Sequence, residues 1–199
     1  MKDDIEKLKK RISVLENENR LLRERMDEAG VSYNDIVSDE DIVYILGDVC
    51  MGDLESGINK LKQLKGHKHL IRGNHCTDNK VSRYIEENIF ESIQYATMIK
   101  YKKYNFYLSH YQTYMGNYDM QMSKTWCLHG HTHSKFEFDD SIAKNFNVAL
   151  DAHNCYPIEI DEILTKIQEK WNKIHNEYER QQSQLQKVKD MKIDEMLDF

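Results

Sequence analysis

Three histidines at alternate positions, His129, His131 and His133, stand in the run Leu128-His129-Gly130-His131-Thr132-His133, directly after the apolar residues Trp126 and Cys127. Side chains two apart in an extended segment share a face, which sets the imidazoles side by side, an arrangement suited to metal ions. Other apolar runs also end in polar residues, at Gly47-Asp48, Gly73-Asn74-His75 and Ser109-His110. Asp48, Asn74, His110 and His131 thereby offer one carboxylate, one amide oxygen and two imidazoles from four separate segments. That mixture suits a borderline divalent ion such as Mn, Fe or Zn, because Mg and Ca prefer all-oxygen shells. His129 reads as an inward-facing, hydrogen-bonded histidine rather than a ligand, and His67, His69 and His175 read as surface residues.

The elements that must position these residues are legible as alternating strands and helices, an α/β pattern. Residues 42–46, Ile-Val-Tyr-Ile-Leu, form a continuous β-branched and aromatic run, which predicts a strand buried on both faces and ending at Gly47-Asp48. Ligands in open α/β folds sit at such carboxyl ends. Leu54, Ile58, Leu61 and Leu64 share one side of a predicted helix over 53–65 with Asp53 as its N-cap. A second strand over 69–72 leads into Gly73-Asn74-His75, and a polar helix over 79–88 leads to strand-like runs at 93–101 and 105–108. Lys102-Lys103 between those runs predicts a hairpin that delivers His110. Strands over 126–128 and 146–150 follow, the second ending at Asp151-Ala152-His153. Beyond Pro157 a helix is predicted from Asp161 to about Lys192, with Leu164, Ile167, Trp171, Ile174 and Tyr178 in heptad spacing.

Residues 3–29 carry the clearest periodicity. Ile5, Leu8, Ile12, Leu15, Asn19, Leu22 and Met26 occupy a and d positions, with Ile at a, Leu at d and one Asn at a. The flanking pairs Asp4 with Lys9, Arg11 with Glu16, and Glu18 with Arg23 are of opposite sign, as a parallel two-stranded coiled coil requires. The expectation is a homodimer, and Gly30 caps the helix. This divides the chain into a dimerisation helix (1–30), an α/β core (31–160) and a C-terminal helix with tail (161–199).

With 199 residues the chain has room for one core-forming domain plus such appendages. Its 31% charged and 40% apolar residues, the absence of an apolar run of membrane-spanning length and a charged start lead to the expectation of a cytoplasmic protein. Cys50, Cys76, Cys127 and Cys155 lack C-x-x-C spacing and read as reduced thiols. A formal charge of -6 argues against broad, sequence-independent binding along a nucleic-acid backbone, and a nuclease with a local basic path is kept as a further alternative.

The order Gly47-Asp48, Gly73-Asn74-His75, His110 and Gly130-His131-Thr132-His133 resembles the calcineurin-like metallophosphoesterase superfamily, over residues 27–165. Asn147-Val148-Ala149-Leu150-Asp151, followed by residues 157–163, is similar to the closing segment of its small phage- and bacterium-type members. The resemblance implies a metallophosphoesterase-type βαβ sandwich that hydrolyses phosphomonoesters or phosphodiesters with a metal-bound hydroxide. By motif, Asp48 would bridge two cations, Asn74, His110 and His131 would complete one site, His133 would belong to the other, and His75 would serve the leaving group as a general acid. Two departures stand out. The family opens with a strand ending in Asp-x-His, whereas here the heptad segment precedes Ile42, and Cys76 stands where an acidic residue is usual. Asp151-Ala152-His153 belongs by position to the closing segment. Four outcomes therefore stay open: a weakly catalytic one-metal site, ligands recruited from Asp151 and His153, ligands from a dimer partner, or a non-catalytic metal-binding or assembly module. A missing opening strand also leaves a sheet edge to be covered.

Overall fold

Ile42–Leu46 forms the first strand, β1, in a computed structural model that describes residues 32–114, 124–139 and 144–197. The heptads of residues 5–26 and the stretch with Met115, Met120 and Met122 lie outside the described residues. Before β1, a single helical turn (α1, Tyr33–Ile36) is tied to the core by Asn34, whose Nδ2 donates to Gln63 O at 2.8 Å and whose Oδ1 accepts from Lys65 N at 3.0 Å.

Helix α2 (Leu54–Gln63) starts where Asp53 accepts the Ser56 amide at 2.8 Å, which satisfies a donor the helix cannot use internally. Strand β2 (His67–Ile71), helix α3 (Asp78–Glu86) and the short strand β3 (Ser92–Gln94) complete a three-stranded parallel sheet in the order β1-β2-β3. Ile58 and Leu61 of α2, Leu70 of β2 and Tyr84 of α3 form its core with Cys50, Cys76 and Ile89. Full burial of each large apolar side chain contributes about 1.5–3 kcal/mol.

One expectation is corrected here. β1 is not buried on both faces: Ile42 is 66% exposed, because among the described residues β1 pairs only with β2 and is the edge of its sheet.

The run at 93–101 is two strands rather than one. At Tyr95 the chain leaves the first sheet, and β4 (Ala96–Tyr101) pairs antiparallel with β5 (Tyr104–Ser109), forming the expected hairpin across Lys102-Lys103. Parallel pairing then adds β6 (Thr125–His129) and β7 (Asn145–Asn147), giving the order β4-β5-β6-β7. β7 stops at Asn147, short of the predicted 150, and a 3-10 turn (Leu150–Ala152) follows. Phe106, Leu108, Trp126, Cys127, Leu128 and Phe146 are buried in this half.

The chain divides into two units, one up to Pro157 and one from Ile158 onward. The second is a single helix, α4 (Ile160–Leu197), on which Ile174, Tyr178 and Leu185 are exposed. No described helix is long and apolar enough to cross a membrane.

Candidate metal centre

His110, at the end of β5, is only 2% exposed, and its ring lies against the end of β1. The His110 Nδ1–H donates to the Leu46 carbonyl at 2.7 Å. A carbonyl only accepts, so Nδ1 carries the proton and Nε2 presents a lone pair. The ring fits there because two neighbours lack side chains. A Cβ at Gly47, whose φ is +92°, would sit 2.2 Å from His110 Nδ1. One at Gly73 would sit 2.4 Å from Asp48 Oδ1 and 2.8 Å from His110 Cε1. Both glycines are therefore required by close approach of backbone to ring.

Three other donors surround His110 Nε2. Asn74 Oδ1 lies 2.9 Å away, His131 Nδ1 3.1 Å and Asp48 Oδ2 3.2 Å. Asp48, His110 and His131 are also the group among the described residues whose ligand atoms all lie within 4.8 Å of one another. A lone pair that faces a carboxylate oxygen and an amide oxygen is repulsive without a shared positive charge, and a proton on His131 Nδ1 would satisfy only the contact between the two imidazoles. These separations approach the roughly 3.3 Å edge of a tetrahedron of ligands bonded at about 2.0–2.1 Å to Zn or a similar ion. The donor set therefore fits a divalent transition ion, with mixed nitrogen and oxygen ligands from the carboxyl ends of both sheets.

Asp48 and His131 are held in left-handed backbone, at φ +51° and +63°. For residues other than glycine this costs about 1–3 kcal/mol and is concentrated at functional sites. Asp48 Oδ1 accepts the His75 amide at 2.9 Å, which fixes the carboxylate while Oδ2 faces the cluster. Lys80 Nζ donates to His75 O at 3.0 Å and to Cys50 O at 2.6 Å, tying together the segments that follow Asp48 and Asn74. The Tyr111 ring meets both imidazoles of the cluster edge to face, at 4.9 Å from His110 and 4.8 Å from His131. Desolvation, and then the neighbouring His110, lower the His131 pKa against the opposing pull of Asp48, which favours the neutral imidazole a metal needs.

The remaining sequence candidates separate in space. His133, also in left-handed backbone at φ +48°, lies outside the four-donor cluster, and its Nδ1–H donates to Asp151 Oδ2 at 3.0 Å. His153 parts company with Asp151: its Nε2–H donates to Asn147 O at 2.7 Å and its ring stacks on Phe146. His129 is buried, donates Nδ1–H to Gly130 O at 2.9 Å and is held neutral by desolvation. His75 is exposed. His67 and His175 are exposed and pair with Glu91 and Glu179, while His69 is half-buried and stacks on Tyr44.

Two residues to which the sequence assigned no role of their own hold this arrangement together. One is Lys80, on α3. The other is Asn147, buried at the end of β7, whose Nδ2 donates to Ser134 O at 3.0 Å and Phe136 O at 3.1 Å while its Oδ1 accepts from Ala149 N at 2.9 Å. The signal for Asn147 was an amide inside an apolar strand, where a buried polar group has to find partners.

The sequence profile of the calcineurin-like phosphoesterases matches residues 8–192. An uncharacterized protein of Methanocaldococcus jannaschii is 30% identical over 145 residues, covering 69% of this chain and 72% of the relative. The Gene 66 protein of a Mycobacterium phage is 28% identical, covering 69% of this chain and 81% of its own length. The crystal structure of a protein of unknown function from Aquifex aeolicus superposes with a TM-score of 0.51 at 25% identity, covering 67% of this chain and 80% of that one.

Proposed function

Because the chain belongs to the calcineurin-like phosphoesterase family, whose chemistry is metal-dependent phosphoester hydrolysis, we propose that it hydrolyses a small phosphomonoester or phosphodiester. The observation that carries this reading is the convergence of Asp48, Asn74 and His131 on His110 Nε2. These four residues would hold one divalent cation, Mn, Fe or Zn, and His133 would contribute to a second beside it, with Asp48 shared. When bound, such cations screen the phosphoryl oxygens and lower the pKa of water.

The chain's own residues do the rest. Asp48 is oriented by the His75 amide, so the same short segment fixes both the carboxylate and the position of the His75 ring. His75, exposed at the rim of the cluster, gives a proton to the departing ester oxygen as the P–O bond breaks, and water supplies the new oxygen on phosphorus. Tyr111 braces the two ligand imidazoles.

The test is hydrolysis of an aryl phosphate and an aryl phosphodiester by purified protein with added Mn. Activity abolished in both Asp48→Ala and His131→Ala is expected, and activity unchanged in both overturns the proposal.

A second reading, a non-catalytic metal-binding or assembly module, is favoured by the placement of His133 outside the cluster. Metal analysis bears on the two: about two ions per chain supports the hydrolase, and one or none supports the module or a weakened enzyme. The acidic balance opposes the nuclease alternative. The proposal extends to a cytoplasmic homodimer joined through the heptads of residues 5–26, with a core over 31–160 and a helix and tail over 161–199. Light scattering on the full chain and on Leu8→Glu/Leu15→Glu tests the dimer.

A further inference from the structure

A cavity of about 420 Å³ lies at the ends of β6 and β7, and the four-donor cluster does not use it. The two adjoin along the chain: Thr132 on the cavity wall directly follows His131, and Gln112, also on the wall, stands two residues beyond His110. The volume falls within the roughly 300–1,000 Å³ of small-molecule sites, so it has room for the organic group of a phosphoester.

The walls are fixed by side chains on several segments. Asn147, 2% exposed, clamps the stretch after His133 by donating to Ser134 O at 3.0 Å and to Phe136 O at 3.1 Å. Phe138 meets Trp126 and Phe146 edge to face, with ring centroids 6.3 and 5.1 Å away. Gln112 Nε2 donates to Asp139 Oδ2 at 3.1 Å, joining the segment after β5 to the segment before β7.

Two groups on these walls are left for a ligand. His129 is 1% exposed and its Nδ1–H is committed to Gly130 O at 2.9 Å, while among the described residues its Nε2 lone pair meets no donor. A buried acceptor without a donor costs free energy that an N–H from a ligand recovers. Phe136, by contrast, is 77% exposed and sets a bare apolar ring on the cavity wall. The pair asks for a flat ring that carries its own hydrogen-bond donor. A nucleobase has both features. The ring of a simple aryl ester does not, because its oxygen is spent on phosphorus, and a sugar has donors without the flat face.

We propose that this cavity seats the base of a nucleotide substrate, stacked on Phe136 and donating an N–H to His129 Nε2, with the phosphoryl group at the four-donor cluster. The reaction rests on the hydrolase reading above, whereas the base site stands on the cavity alone. His129 and Phe136 thereby set which phosphoester is taken and do not act on the phosphorus.

The test has two arms. The four common ribonucleosides and ribose are titrated into the chelator-treated full chain by calorimetry, and kcat/KM is compared for adenosine 5′-monophosphate and ribose 5-phosphate with added Mn2+. At least one nucleoside is expected to bind about 10-fold or more tightly than ribose. Phe136→Ala is expected to weaken it by about 5–100-fold, the range for a lost base stack, with Mn2+ affinity unchanged. His129→Phe, which keeps a ring and removes Nε2, is expected to weaken it by about 2–10-fold. Phe136 is exposed, so its variant provides the measurement if the buried substitution does not fold. Nucleosides that bind no better than ribose, or nucleoside binding unchanged in Phe136→Ala, overturn the proposal, as does equal kcat/KM for the two phosphates. Nucleoside binding without hydrolysis of any phosphoester supports the base site and overturns the hydrolase reading, and so the two failures are distinguishable.

Discussion

His110 Nδ1 lies 2.7 Å from the Leu46 carbonyl, so a side chain at the end of β5 is bonded to the backbone at the end of β1. This bond sets the tautomer of the imidazole at the centre of the cluster and joins the two sheets at their carboxyl ends. It depends on Gly47, where an added Cβ would stand 2.2 Å from the same nitrogen at a φ of +92°. Gly47→Ala is therefore expected to destabilise the protein by about 2–4 kcal/mol, from overpacking and backbone strain together, and to lose metal binding although no ligand is changed. Denaturant titration and metal analysis check this. Gly52→Ala is the control: nothing lies within 4 Å of its Cβ, and the expected change is within about 0.5 kcal/mol.

A cation that binds only the folded chain stabilises it by mass action. Saturation at about 100 times Kd contributes about 2.7 kcal/mol, which corresponds to a rise of roughly 5–10 °C in Tm for a chain of this size. Mn2+ should therefore raise the melting temperature and a chelator should reverse the rise. Asn74→Ala and His131→Ala should show a clearly smaller Mn2+-dependent rise than wild type. An equal rise in these variants would place the ion elsewhere.

The buried His129 makes the metal-free protein acid-sensitive. Desolvation lowers its pKa below the ordinary value of about 6.5, whereas the unfolded chain keeps that ordinary value. As pH falls through about 6.5, the unfolded state takes up the proton first, so stability is fully present above that pH and declines below it. His131, lowered by desolvation and by His110, adds to the same window. Chelator-treated His129→Gln should lose less stability than wild type between pH 7 and pH 5, relative to its own value at pH 7. Parallel stability curves would refute the assignment.

Much of the first sheet could be read from residue types, because parallel strands bounded by glycines and amphipathic helices leave local signals. Asp53 as an N-cap is one such case, and the hairpin across Lys102-Lys103 is another. The sheet change at Tyr95 left no signal, since a strand's residue types do not say which neighbour it pairs with. The edge position of β1 was hidden for a related reason: a continuous apolar run signals burial, but exposure is decided by which strands flank it. At the site, ligand-type residues at strand ends were visible, but their division was not. Alternation put His131 and His133 on one face, yet both take left-handed backbone, which breaks the two-residue repeat and sends one ring to His110 and the other to Asp151.

Asn147 offers a test of how the closing segment supports the site. Its side chain donates to two carbonyls, Ser134 O and Phe136 O, and accepts the Ala149 amide. Asn147→Asp keeps the acceptor and loses both donors, turning a carboxylate oxygen toward two carbonyl oxygens in a buried position. Unsatisfied buried groups cost about 1–3 kcal/mol each, so a loss of about 2–5 kcal/mol is expected. Asn147→Ala leaves all three backbone groups without the side chain but introduces no buried charge, and it should cost less than the aspartate. If the clamp acts on the site as well as on stability, Asn147→Ala measured well below its melting temperature should weaken the ion that depends on His133 more than the ion held by His110. Equal weakening of both would make Asn147 a structural support for the whole core.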